Sequence, residues 1–168
     1  MPFASRRPLL RIAAPALAIA AVAGLSACEK PAPGATVFSG TTSAHREAVC
    51  WAPEANEAFV EADCSISLRS TEDFNERLLD KVAIIPTAPG DTVGISVDPA
   101  VAEGGWQVSI NGRALSREAI TEKYFRFTMP PQPLRNGDAQ LVIQALTDDG
   151  EAIRGSWIFG LTENSNNA

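Results

Sequence analysis

Residues 106–112 read WQVSING, so apolar Trp, Val and Ile alternate with polar residues before the pair Asn111-Gly112. Alternation with a period of two is typical of a β-strand that is buried on one face. Asn-Gly supplies two residues that tolerate the positive φ angles of a type I′ turn. The stretch therefore predicts a β-hairpin, with a return strand over residues 113–115.

The same period recurs along the rest of the chain. Val93, Ile95 and Val97 alternate with smaller or polar residues. Only residues 71–80 suggest a short helix, since Phe74 and Leu78 share a helical face there. Many strands without alternating helices favour an all-β fold. We expect an immunoglobulin-like antiparallel β-sandwich of about seven or eight strands with a short helical excursion. Further strands are predicted around residues 36–40, 82–85, 92–97, 124–129, 141–145 and 153–161.

The N-terminal region has the pattern of an export signal. Arg6, Arg7 and Arg11 precede an alanine-rich apolar stretch at residues 12–25. This stretch falls short of the about 20 residues that a helix needs to span a bilayer. A basic start followed by a short apolar segment indicates a signal peptide. The arginine pair also resembles a twin-arginine export motif, and the export route stays open.

The signal segment ends in Leu25-Ser26-Ala27-Cys28, which resembles the lipobox of bacterial lipoproteins. The resemblance implies cleavage before Cys28 and acylation of its thiol, so that residues 1–27 are removed. The alternative is an ordinary secretory peptide that leaves Cys28 as a spare thiol. We expect residues 28–35 to form a proline-rich tether reaching about 20 Å, followed by a sandwich over 36–162 and a disordered tail over 163–168.

The two remaining cysteines, Cys50 and Cys64, are expected to form a disulfide outside the cytoplasm. Their spacing is far from Cys-x-x-Cys, which disfavours a redox-active role. The intervening segment is acidic and is predicted to form an excursion that is part helix. Trp51, Glu54 and Glu57 within it are the candidate ligand or partner surface.

Composition excludes several classes of function. The chain has 14 basic and 20 acidic side chains and a net charge of −6, whereas nucleic-acid binding relies on Lys and Arg. The single histidine, His45, excludes a site that needs two imidazoles. Residues 148–151, DDGE, fit a hairpin turn without a metal, although weak calcium binding is an alternative. No catalytic residue, metal ligand or cofactor is predicted.

Six short motifs stand in order along the chain: LSACEKP (25–31), PGDT (89–92), VDP (97–99), GW (105–106), NG (111–112) and GSWIF (155–159). Together they resemble a family of actinobacterial lipoproteins known only as a domain of unknown function. The resemblance covers most of the chain. It implies an exported, membrane-anchored protein and brings no catalytic residues.

These observations predict a lipid-anchored protein on the extracytoplasmic face of the cell membrane. We expect it to be a non-catalytic binding or interaction module whose partner is an envelope protein or a cell-wall ligand. A rival hypothesis is an envelope hydrolase that acts on carbohydrate through paired carboxylates, because their separation depends on the fold. A third hypothesis is a metal carrier.

Overall fold

Two β-sheets make up the fold in the computed structural model, which describes residues 31–60, 64, 82–130 and 138–163. Ten strands and one short helix lie in these residues, which confirms the predicted all-β sandwich. The predicted signal peptide, the helix over 71–80 and the tail after residue 163 lie outside the described residues. The elements are β1 (Gly34–Ser39), β2 (Thr42–Glu47), β3 (Cys50–Trp51), β4 (Ala83–Thr87), β5 (Thr92–Val97), α1 (Pro99–Glu103), β6 (Trp106–Ile110), β7 (Arg113–Ala114), β8 (Tyr124–Thr128), β9 (Asp138–Leu146) and β10 (Ile153–Glu163).

The first sheet has four antiparallel strands in the order β2-β1-β5-β8. Its inward side chains follow the predicted alternation, and Val37 pairs with Ile95 at the centre. Both of these side chains are 0% exposed. The four-stranded sheet therefore contributes one complete apolar layer to the core.

The second sheet has six strands in the order β3-β10-β9-β6-β7, with β4 parallel to the second half of β10. The predicted hairpin joins β6 to β7, and Asn111 and Gly112 have φ values of 47° and 76°. Pro86 lies within β4, although the sequence suggested that the strand would end before it. Because β4 needs only one neighbour, an edge position tolerates the missing N–H of proline.

The strand order is that of an immunoglobulin-like sandwich. Strands β1, β5 and β8 occupy one sheet as A, B and E do in that fold, while β6, β9 and β10 occupy the other as C, F and G do. Helix α1 connects β5 to β6 and so carries the chain between the sheets. The hairpin β1–β2 adds β2 as an outer strand to the first sheet.

Two tryptophans fill the core between the sheets. Trp106 and Trp157 are each 0% exposed, as their alternating positions predicted. The indole N–H of Trp106 donates to the Glu122 carbonyl at 2.9 Å, and that of Trp157 donates to the Pro33 carbonyl at 3.1 Å. A buried indole N–H needs such an acceptor. Each ring is therefore held by a hydrogen bond from its N–H and by the packing of its apolar surface in the core.

The structure adds three elements that the sequence did not predict as strands or helix. The residues of β2 are polar and mostly exposed, so this strand lacks the apolar alternation that predicts a strand. Strand β3 has only two residues and forms by pairing with Gly155 and Ser156. Helix α1 follows Asp98, and an Asp before a proline also fits a turn. The described part of the acidic excursion, residues 51–60, contains no helix.

Cys50 and Cys64 form the predicted disulfide, with a sequence separation of 14. Replacing both cysteines by alanine is expected to lower the free energy of unfolding by about 3 kcal/mol, because the unfolded chain regains the entropy of an open loop. Denaturant titration of oxidised wild type and the double variant measures the difference. Equal midpoints and slopes would contradict the expected stabilisation.

Candidate functional site

Trp51 is the aromatic member of the predicted surface, and the structure places it at the margin of the core. It pairs with Gly155 on β10, and a side chain at Gly155 would collide with the indole ring. The ring centroid lies 5.9 Å from that of Trp157. Trp51 is half-buried and packs against the core cluster. Much of its surface is therefore used in packing.

Arg154 holds Trp51 and the following loop. The pairing of β9 with β10 shifts register between Ile153 and Gly155, which marks a bulge at Arg154. The guanidinium lies 4.3 Å from the Trp51 ring centroid, a cation–π geometry. It donates to the carbonyls of Ala52 and Pro53 at 3.1 and 2.9 Å. This buried cation thus fixes the start of the acidic loop.

Glu54 and Glu57 are exposed and belong to a turn in which the Glu57 N–H donates to the Glu54 carbonyl at 3.2 Å. The neighbouring Ala55 carbonyl accepts from the Asp148 N–H at 3.2 Å. The acidic loop and the acidic β9–β10 turn are therefore adjacent. Within the described ranges, no group of three potential metal-ligating side chains is present.

Asp149 in the β9–β10 turn is held in its ionised form. Its carboxylate accepts hydrogen bonds from the Thr147 hydroxyl and, at 3.1 Å, from the Glu151 N–H. These two bonds lower the pKa of Asp149 below the ordinary value of 3.8, the hydroxyl having the larger effect. The carboxylate orders the turn, as an Asx residue commonly does.

His45 lies on β2 and is exposed. Its ring lies over Gly34 on the adjacent strand, and Nδ1 is 3.0 Å from the Thr36 hydroxyl oxygen. This contact holds His45 on the side of the four-stranded sheet that points away from the core.

Sequence reasoning missed the aromatic pair on that same face. Phe38 on β1 lies over Gly94 on β5, and its ring centroid is 6.0 Å from that of Tyr124, with 13° between the ring planes. Tyr124 is 48% exposed. A glycine inside the alternating β5 sequence was the available signal, but pairing it with Phe38 required the strand order.

The chain enters the sandwich through a set of hydrogen bonds at the start of β1. The Pro33 carbonyl accepts from the Ala48 N–H at 3.2 Å as well as from Trp157. The Gly34 N–H donates to the Asp98 carboxylate at 2.7 Å, and the Asp98 N–H donates to the Gly34 carbonyl at 3.0 Å. Strand β1 thus begins inside residues 28–35, the segment predicted as tether.

Comparison with protein-family models finds no matching family, and comparison with curated proteins finds no match. Within the described residues, no helix has the length and hydropathy that crossing a membrane requires.

Replacing Trp51 by alanine is expected to lower the free energy of unfolding by about 2 kcal/mol, because the space above Gly155 loses its filling. Trp51→Phe should lose less than half as much, since a ring still covers the glycine. Exposed Glu54→Ala serves as the control and should stay within about 0.5 kcal/mol of wild type. Denaturant titration distinguishes the three variants. A Trp51→Ala midpoint equal to that of Glu54→Ala would disprove the packing role.

The lowered pKa of Asp149 predicts a specific pH dependence. A folded-state pKa below the unfolded value contributes stability that is full above about pH 4 and is lost as the pH falls through the folded pKa. Thr147→Val removes the hydroxyl donor and should move the Asp149 midpoint up towards 3.8, whereas Thr147→Ser should keep it low. Carboxyl ¹³C titration by NMR measures both midpoints. Equal Asp149 midpoints in Thr147→Val and Thr147→Ser would show that the Thr147 hydroxyl does not lower this pKa.

Proposed function

We propose that the protein is a lipid-anchored, extracytoplasmic lipoprotein whose β-sandwich acts as a binding or interaction module of the cell envelope. The observation that carries this proposal is the Cys50–Cys64 disulfide. Structural disulfides persist in oxidising compartments outside the cytoplasm. The disulfide accounts for two of the three cysteines, and Cys28 is the one that stands in the lipobox-like sequence.

The start of the sandwich supports the tethered arrangement. Only Glu29 to Pro33 separate Cys28 from β1. At about 3.1 Å per residue, a proline-rich segment of this length keeps the domain within some 20 Å of the lipid. Two acyl chains hold a protein firmly to a bilayer, whereas one chain does so only marginally. The module would therefore work close to the membrane surface.

Among the described carboxyl groups, that of Asp149 is poorly suited to act as a general acid. Trp51 and Arg154 are engaged in packing, and Asp149 has a lowered pKa. A glycosidase needs a general acid with a raised pKa facing a second carboxylate. Within residues 31–60, 64, 82–130 and 138–163, no specific observation favours the rival hydrolase hypothesis, and the resemblance to actinobacterial lipoproteins carries no catalytic residue.

Replacing Cys28 by alanine should release the protein from membranes, because the acylated thiol is its proposed anchor. Fractionation of cells, with incorporation of a labelled fatty acid, measures the effect. The Cys50→Ala/Cys64→Ala variant is the matched control, since it also loses cysteines but should stay in the membrane fraction. Retention of Cys28→Ala in membranes, or absence of the label from wild type, would overturn the proposed anchor.

A further inference from the structure

The outer face of the four-stranded sheet presents a row of side chains that crosses all four strands. Pairing places Thr36 opposite both His45 and Ser96, and Ser96 opposite Tyr124. At about 4.8 Å between strands, the row is about 14 Å wide. From β2 to β8 it presents an imidazole, two hydroxyls and a phenol.

A second row lies two residues further along the strands, about 7 Å away. It consists of Ser43, Phe38, Gly94 and Arg126, which pair in that order. Since Gly94 has no side chain, Phe38 lies down over it and approaches Tyr124 of the first row. We call these two rows the outer face.

The outer face combines aromatic rings with polar side chains. Tyr124 is exposed and nearly parallel to half-buried Phe38, so apolar ring surface reaches solvent. The same two rows contain the Thr36 and Ser96 hydroxyls, which donate and accept hydrogen bonds, and exposed Arg126, which donates them.

We propose that the outer face binds a neutral polysaccharide. The axial C–H groups of a pyranose ring form an apolar surface that packs on an aromatic ring, and its equatorial hydroxyls require hydrogen-bond partners at the ring's edge. The aromatic pair of Phe38 and Tyr124 supplies the first requirement, and Thr36, Ser96 and Arg126 supply the second. This inference rests on the proposed function as a binding module and names its ligand class.

The charge of the chain favours a neutral ligand over an anionic one. The four strands carry three formal charges, Arg46, Glu47 and Arg126, of which alternation places Arg46 on the opposite face from His45. Arg126 is therefore the one formal charge in the two rows of the outer face, because Glu47 pairs with Gly34 and lies beyond them. The whole chain carries −6, which disfavours anionic headgroups and polyanions at long range. A neutral, hydroxyl-rich chain avoids this repulsion.

The composition of the chain offers specific probes for this face. Tyr124 is the single tyrosine and His45 the single histidine. Incorporation of 3-fluorotyrosine into the processed protein, solubilised in detergent, therefore gives one ¹⁹F signal, which reports on the outer face. Titration with a β-1,4-linked N-acetylglucosamine hexamer, and affinity electrophoresis in hydroxyethylcellulose, test two neutral polysaccharide chemistries.

We expect the ¹⁹F signal to shift and saturate with at least one of these glycans. Tyr124→Ala should weaken binding by about tenfold in affinity electrophoresis, while Tyr124→Phe should keep it within about threefold. Ile84→Ala is the matched control, because Ile84 is also 48% exposed but lies on β4 of the other sheet. It should leave binding unchanged.

Three results would overturn the inference. One is the absence of a shift with both glycans, and another is an equal loss of binding in Ile84→Ala and Tyr124→Ala. The third is a shift caused instead by anionic phospholipid vesicles or by raising the protein concentration, which would assign the outer face to a lipid surface or to a second copy. Glycan binding is measured in solution, so its outcome is independent of the Cys28→Ala release experiment that tests the anchor.

Discussion

The fold depends on the burial of β10 on both of its faces. Residues 154–159 are all buried, including the cationic Arg154 and the polar Ser156. This strand pairs with β9 along one edge, and with β3 and then β4 along the other. A strand buried on both faces needs partners for every backbone group. The short strands β3 and β4 supply those partners, and the disulfide at Cys50 joins the first of them to the following loop.

A recurring contact fills the positions where the strands carry no side chain. Three strand glycines each lie under a ring from a neighbouring strand: Gly34 under His45, Gly94 under Phe38 and Gly155 under Trp51. Glycine within a strand is less favourable than alanine by about 0.5–1 kcal/mol, and ring packing offsets this loss. At Gly155 the ring completes the core, whereas at Gly94 it leaves aromatic surface in solvent. The same packing of a ring over a glycine thus completes the core at one sheet and leaves aromatic surface exposed on the other.

Much of the fold was predictable because its signals are local. Alternation predicted the inward residues of β5, β6 and β9, and Asn111-Gly112 predicted the hairpin turn. Strand β2 has no comparable signal, because an outer strand with mostly exposed, polar residues has no apolar period. The outer face could not be predicted because it combines residues from four strands. Phe38 and Gly94 are far apart in sequence, and only the pairing of β1 with β5 places them together.

The hydrogen bonds at the start of β1 also have a mechanical consequence. Strand β1 lies between β2 and β5, and both ladders are antiparallel to it. A pull on the chain before Pro33, directed along the strand, would load these bonds in shear, so that many must break together. The two bonds accepted by the Pro33 carbonyl stand first in that load path, and the reciprocal bonds between Gly34 and Asp98 follow them. The domain is built to resist tension applied at the end from which it would be tethered.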